Sequence, residues 1–544
     1  MSKYTIGVDF GTLSVRALLL NLETAEEVAC YEYVYPHAIN NIDFNGKKLP
    51  DSFALQHPDD YVEGLKSVID GVMKKSGVGA NDVKGLGIDF TSCTVIAVDE
   101  NNMPMCNHAE FKFEPHAFVK LWKHHGAQKQ ADNMTAVAKR LNEDWLNKYG
   151  GKVSSEWFFP KVLETFDCAP DLFDKTAKFL EAGEWIVQLI TGTNVLSSCM
   201  QGFKSNWNED KGYPSKEFFS EINSEFAGVI YDKIKGDIKH VEKCAGKINE
   251  YGAQITGLKQ GTAVSVAVID AHSAAPSTGV VDSGKLLLIL GTSACHIALS
   301  KKGAEIEGIC GVAKDSVVEG LYAYEAGQTC FGDVFDWFKN NCLPSDYVSN
   351  AKEKGVGIFD YLNTLSQSLE VGQNGLLALD WWNGNRTPYA DFDVKGLILG
   401  LDLNTKPEHI YRALLESNAF GTRRIIEIYN QAGLEIKEII AGGGIAVKNA
   451  HVMQILADVL GMEIKVVDSK QAGAKGSCIY AAVACGEFVN LKSASKVLAD
   501  KCNVCYKPNS ENKKAYDKLY NEYLVLSEYF AKANSVMKTI RERN

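Results

Sequence analysis

Ile6-Gly7-Val8-Asp9-Phe10-Gly11-Thr12 has an echo about half a chain later, Leu288-Ile289-Leu290-Gly291-Thr292-Ser293. Each is a buried-looking strand that ends in Gly-Thr. Each is followed by a second apolar strand, Val15 to Leu20 and Cys295 to Leu299. Two strand–turn–strand units so spaced predict two related domains facing a shared nucleotide. Glycine lets backbone come close to phosphate oxygens, and turn N–H groups with a threonine hydroxyl can donate to them. Asp9 puts a carboxylate where a phosphate-bound Mg²⁺ would need one.

The chain of 544 residues suits two large domains. Its apolar and charged fractions are those of a globular protein. A net charge of −11 argues against nucleic acid or an anionic membrane as main partner. Met1-Ser2-Lys3-Tyr4 runs straight into the first strand, so a cytoplasmic location is expected. Apolar runs such as Leu286–Leu290 are strand-sized, short of a membrane span. The fourteen cysteines have no regular spacing and read as reduced thiols. Cys502-Asn503-Val504-Cys505 is a CxxC without a second ligand pair.

Outward from the first stretch, strands are expected at Thr5–Asp9, Val15–Asn21, Val28–Tyr35 and Val83–Asp89. An amphipathic helix starting at His57-Pro58 lies between the last two. Near-continuous apolar strands alternating with helices predict an α/β fold. Residues 105–260 read as an aromatic insertion shaping a pocket, with helical pieces around Ala117–His124 and Pro160–Phe166. A strand Ala263–Ile269 ends in Asp270, and the domain boundary is expected near residues 271–284. Later helices are expected from a Thr405–Glu408 capping box to about Ala432, from about Asn449 to Leu460, and from Glu511 to Thr539. Glu438–Ala441 reads as a strand entering Gly442-Gly443-Gly444.

Neither a Walker A loop nor a GxGxxG fingerprint is present. The ordered set Asp9-Phe10-Gly11-Thr12, Gly291-Thr292 and Gly442–Gly444 resembles the sugar-kinase branch of the actin-like, ribonuclease-H-like ATPase superfamily. Gly7 through Ala17 looks like the opening of the FGGY family of carbohydrate kinases. Five further stretches are similar to the ribulokinase branch of that family: Leu121-Trp122-Lys123, Ser154-Ser155-Glu156-Trp157, Glu307-Gly308-Ile309-Cys310-Gly311, Tyr324-Glu325-Ala326-Gly327-Gln328, and Asp380-Trp381-Trp382-Asn383-Gly384-Asn385-Arg386-Thr387-Pro388. The resemblance covers essentially the whole chain.

It implies two ribonuclease-H-like domains, residues 1–273 and 274–544, around an interdomain cleft. The implied ligands are MgATP and L-ribulose, phosphorylated at O5, as in L-arabinose catabolism. A homodimer is compatible with it; a nucleic-acid or membrane partner is not expected. Gly11, Thr12, Gly291, Thr292, Gly443, Gly444 and Lys448 would contact ATP, and Asp9 would hold Mg²⁺ through water. Ser92, Trp122, Lys204, Asp270 and Glu325 would contact the ketose. A sugar hydroxyl needs a base, and Asp270, two residues before His272, matches the family's catalytic aspartate. From local sequence alone, a helix N-cap competes for Asp270. D-ribulokinase, xylulokinase and glycerol kinase are the rival activities, and an actin-like or chaperone ATPase the rival class. Two departures stand out: His124-His125 follows the Trp-Lys pair where an acidic residue is common, and Ala474-Lys475-Gly476-Ser477 replaces an Ala-rich pattern. The first bears on the pocket rim, and the second on packing near the adenosine.

Overall fold

The computed structural model describes residues 3–40, 46–533 and 536–541. The chain forms two compact units. The first comprises Met1–Ser283, Val312–Ala323 and Gln471–Asp500; the second comprises Gly284–Gly311, Tyr324–Lys470 and Lys501–Asn544. Both are mixed α/β and are built on a sheet. Among the described residues no helix is long and apolar enough to cross a membrane.

In the first unit, strands β1 (Tyr4–Phe10), β2 (Ser14–Asn21) and β3 (Glu27–Val34) form an antiparallel meander. Strand Val83–Phe90 runs parallel to β1 on its other side, followed by Ala263–Ser265. The second unit repeats this order. Tyr322–Gln328, Ala294–Ser300 and Lys285–Leu290 are successive neighbours across the sheet, with Glu438–Gly442 and Ile464–Val467 parallel beyond them. Two equivalent sheets are what the paired Gly-Thr stretches predict.

The two faces of β1 serve different helices, as period-2 alternation dictates. Phe10 meets Tyr61 of helix α1 (Pro58–Ser76) edge-on, with ring centroids 6.2 Å apart. The opposite face, at Gly7, is covered by helix Ala472–Ala484. A Cβ on Gly7 would lie 1.8 Å from the Ala474 carbonyl oxygen, and one on Gly87 1.9 Å from that of Ser477. The Thr5 hydroxyl donates to the Cys478 carbonyl at 3.0 Å along the same contact.

Several elements differ from the sequence expectation. Ala117–His124 is not helical: a 3₁₀ turn, Pro115–Ala117, leads into strand Val119–Lys120, which pairs with Leu55–Gln56. The expected strand to Ile269 is broken into Ala263–Ser265 and Val268–Ile269. The long helix Pro407–Gln431 is preceded by Lys406, because the Thr405 hydroxyl closes a turn on Asp402 at 3.0 Å instead of capping. The last helix spans Ser510–Glu528, passes through a π-helical turn at Tyr529–Ala533 and resumes at Val536–Arg541. The Lys475 stretch packs within the first unit, whereas the Gly442–Gly444 run belongs to the second. Lys475 is buried and paired with Asp500 and, at 3.2 Å, with Glu27, so its charge is neutralised inside the first unit.

The helix-on-glycine contact predicts that Gly87→Ala lowers stability by about 3 kcal/mol or more, since backbone must shift to admit the methyl. Gly444→Ala, where a Cβ meets nothing within 4 Å, is the control. Urea midpoints should separate the two variants, and equal midpoints would contradict this account of the packing.

Candidate active site

Register brings the chemistry of the first unit to one edge of its sheet. Gly7, Val8, Asp9 and Phe10 pair in parallel, one for one, with Gly87, Ile88, Asp89 and Phe90. Val268 and Ile269 pair in turn with Asp89 and Phe90, and Asp270 follows directly as the first residue of helix Asp270–Ser277. Asp9, Asp89 and Asp270 therefore stand at or just past the C-terminal ends of three neighbouring parallel strands, where open α/β sheets bind ligands. The Phe10 and Phe90 rings stack at 4.7 Å and lock the register.

Asp89 was not among the residues expected from sequence. Gly87-Ile88-Asp89-Phe90 repeats the Gly-x-Asp-Phe pattern of Gly7-Val8-Asp9-Phe10, and that repeat is the signal that could have found it. Asp89 Oδ2 accepts from the Ser477 hydroxyl at 2.6 Å, while its buried Oδ1 has no hydrogen-bond partner. Burial, and then the charge of Asp9, holds the Asp89 carboxyl well above the usual range. Burial also raises Asp9. A Cβ on Gly473 would lie 3.2 Å from the Asp9 carboxyl and 3.3 Å from Asp89 Oδ1, so only glycine leaves the space beside both groups open. Two crowded carboxyls with an orphaned oxygen fit a hard, oxygen-liganded cation such as Mg²⁺, whose charge reverses the local pKa logic.

The turn Gly11–Leu13 closes by a Gly11 N–H to Ser14 carbonyl bond of 2.9 Å. The Thr12 hydroxyl accepts from Trp122 Nε1 at 3.1 Å, which ties the expected phosphate turn to an expected sugar contact. Asp270 does not act as an N-cap; Ile269 holds that position, and Asp270 Oδ1 accepts from the next N–H at 2.7 Å. Lys204 ends helix Ser198–Lys204 and is 5% exposed, in contrast to a surface lysine. Ser92 follows strand Val83–Phe90 and is partly accessible.

Beneath Ser92 and Trp122 lies a buried polar layer. Helix Phe158–Cys168 supplies Lys161, Glu164 and Thr165. Lys120 Nζ donates to Glu164 at 2.6 Å and to Thr165 at 2.8 Å. His124 Nε2 lies 2.9 Å from the same carboxylate. His124 is thus a buried partner of Glu164. An acidic residue there would face Glu164 with like charge. Burial opposes ionisation of Glu164, but Lys120 and His124 hold its carboxyl below the usual range. Burial drives His124 down to about 4. Thr94 N–H donates to Glu181 Oε2 at 3.0 Å. Burial, then the charge of Glu184, pushes Glu181 up to about 8.

In the second unit, strand Lys285–Leu290 ends in the Gly291–Ser293 turn, closed by a 3.0 Å bond from Gly291 N–H to the Ser293 carbonyl. Its parallel neighbour ends in the glycine run, with Ile289 opposite Gly442. Gly443 has φ of 92°, a left-handed conformation that suits glycine, and a Cβ there would lie 2.5 Å from the Leu290 carbonyl oxygen. The turn with Gly291 and Thr292 and the run with Gly443 and Gly444 are therefore side by side. Lys448 is exposed at the end of the short helix Gly444–Lys448. Glu325 is partly accessible in strand Tyr322–Gln328. Its motif is buttressed by the tryptophan motif: Gln328 donates to Asp380 at 2.8 Å, and Asp380 also accepts from Tyr523 at 2.8 Å.

The pattern of the FGGY family of carbohydrate kinases matches this chain twice, its N-terminal domain at residues 4–276 and its C-terminal domain at 286–485. A protein named ribulokinase from Bacillus licheniformis is 44% identical over 97% of each chain. Another so named, from Halalkalibacterium halodurans, is 44% identical over 99% of this chain and 97% of its own. Among solved structures, xylulose kinase from Rhodospirillum rubrum superposes with a TM-score of 0.79 at 19% identity, covering 96% of this chain and 98% of its own. Gluconate kinase from Lactobacillus acidophilus gives 0.80 at 17% identity, covering 98% and 99%. At that identity the structural likeness speaks for the fold.

The Glu181 carboxyl gives a pH test. A carboxyl that titrates near 8 when folded contributes its stability in full below the unfolded value of about 4.3, and loses it as pH rises toward 8. The parent's Tm should therefore fall between pH 5 and pH 8. Glu181→Gln, which keeps an acceptor for Thr94 but does not titrate, should show a shallower fall. Parallel Tm profiles would refute the assignment.

Proposed function

The chain belongs to the FGGY family of carbohydrate kinases, and from that membership we propose that it transfers the γ-phosphoryl group of ATP to O5 of L-ribulose, in L-arabinose catabolism, with Asp270 as general base. The sugar-kinase activity itself follows from the family and sets aside a filament or chaperone role. What carries the proposed base is the strand-end alignment of Asp270 with Asp89 and Asp9. Support for L-ribulose comes from full-length relatives named ribulokinase at 38–44% identity. A cytoplasmic site of action fits such a reaction.

Asp270 takes the proton from the O5 hydroxyl as that oxygen bonds to the γ-phosphorus. The bond to the bridging β–γ oxygen breaks, and ADP leaves with those electrons. Bound Mg²⁺, when present, offsets charge on the phosphates. Asp9 would hold the metal through its water shell, with the Asp89 carboxyl beside it. Gly11 and Gly291, whose own N–H groups close the turns, let the backbone approach the phosphates, and the N–H groups and hydroxyls of Thr12 and Thr292 bind phosphate oxygens. Gly443, Gly444 and Lys448 contact the nucleoside side of ATP. Ser92, Lys204 and Glu325 orient the ketose hydroxyls, and Trp122 offers a ring face to its carbons.

A coupled ADP-release assay over L-ribulose, D-ribulose, xylulose, ribitol and glycerol tests the reading. L-ribulose should give the highest kcat/KM, and a preference for D-ribulose or xylulose would replace it with the corresponding kinase. Asp270→Asn should lose on the order of 10²–10⁴-fold in kcat, with ATP affinity by calorimetry unchanged. Near-parental turnover would remove Asp270 from the role. Asp9→Ala should raise the Mg²⁺ concentration needed for half-maximal rate and weaken Mg²⁺-dependent ATP binding; an unchanged Mg²⁺ requirement would make it a turn residue.

A further inference from the structure

Lys161 has no role in the scheme above, yet its ammonium is fully buried and spans the two loops that carry the expected sugar contacts. Its Nζ donates to the Cys93 carbonyl at 2.6 Å and to the Leu121 carbonyl at 2.7 Å. Cys93 adjoins Ser92, and Leu121 adjoins Trp122. An ammonium offers three donors and no acceptor, so two carbonyls drawn to one nitrogen are held a fixed distance apart. Charge-assisted bonds of this kind are short and strong in a dry interior.

The turn so held is not one the chain adopts by default. Cys93 has φ of 53°, the left-handed region, uncommon for a residue with a side chain. Such a residue persists only where its surroundings over-determine it. Here Lys161 grips the Cys93 carbonyl, Glu181 the Thr94 N–H at 3.0 Å, and Thr91 and Thr94 hydroxyls meet at 2.8 Å. On the other loop, Leu121 N–H donates to the Ala54 carbonyl at 3.0 Å, and Trp122 Nε1 reaches Thr12 at 3.1 Å. Lys161 is the group common to both loops.

We propose that Lys161 is a positioning residue of the sugar pocket, whose ammonium clamps the Ser92 turn and the Trp122 loop at the spacing the ketose needs. The inference rests on reading Ser92 and Trp122 as sugar contacts. Lys161 touches no reactant; it acts through the two carbonyls.

The test uses Lys161→Met, which keeps the length of the side chain and removes its donors, with Lys161→Gln as a milder partner. In Lys161→Met the KM for L-ribulose should rise roughly ten- to a hundredfold. The KM for MgATP should stay within about threefold, and kcat should fall less than the ketose KM rises. Lys161→Gln should be intermediate. Combined with Ser92→Ala, the effect on KM should be less than multiplicative, because both act on one turn. The indole N–H resonance of Trp122, assigned with Trp122→Phe, should shift in the ligand-free variant. A folded Lys161→Met with parental ketose KM, equal rises in both KM values, or a multiplicative double mutant would overturn the proposal. So would failure of both variants to fold, which would make Lys161 a stability residue. The resonance reads the clamp without turnover. A shifted indole in a protein that phosphorylates no ketopentose would therefore fault the proposed function and leave the clamp standing, whereas an unmoved indole would fault the clamp.

Discussion

Helix Ala472–Ala484 lies so close on the first sheet that Cβ atoms at Gly7 and Gly87 would collide with its backbone oxygens. This approach governs much else in the first unit. It requires glycine at the paired positions of two strands, and it brings the opening turn of the helix down onto Asp9 and Asp89. The Ser477 hydroxyl then reaches Asp89, and Gly473 leaves the space beside both carboxyls open. The N-terminal end of a helix carries partial positive charge. Two acidic groups at that end are better tolerated than in an apolar core, and a phosphate-bound cation placed among them would be better still. The glycines thus serve packing and chemistry in one stroke.

A second constraint is electrical. The floor beneath Ser92 and Trp122 is not apolar: Lys120, Lys161, Glu164, Glu181 and His124 are all buried there. Buried pairs such as Lys120 with Glu164 stabilise little beyond an apolar packing of the same shape, and removing one partner is costly. Their use here is geometric. Buried polar side chains reach across loops that have few ladder hydrogen bonds of their own, and they specify one conformation where a greasy floor would allow several. His124 shows the same logic. It is paired to Glu164, which a carboxylate at position 124 could not be.

The pattern of strands was legible because near-continuous apolar runs ending in glycine leave few alternatives. β1, Val83–Phe90, Lys285–Leu290 and Glu438–Gly442 all lie where apolar periodicity puts them. The aromatic insertion was less legible. Phe118 and Val119 suit a helix face or a strand equally well, and only the partner Leu55–Gln56 selects the strand. Asp89 escaped notice because a strand-end aspartate is unremarkable until register sets it beside Asp9. Lys161 and Lys204 are harder still. Lysine is among the residues least often buried, so nothing local marks these as interior; their burial is a property of the tertiary fold alone.

The echo of Gly7-Val8-Asp9-Phe10 in Gly87-Ile88-Asp89-Phe90 ties these threads together. Two strands with one pattern, paired in register, must place like groups next to each other: glycine by glycine, aspartate by aspartate, ring on ring. The glycine row admits the helix, and the phenylalanine row faces α1. The aspartate row is the one that packing does not require, since like charges brought together in a buried place oppose folding. Burial and the charge of Asp9 accordingly hold the Asp89 carboxyl well above the usual range. Folding alone would disfavour such an arrangement, and it stands at the strand ends where open α/β sheets bind ligands.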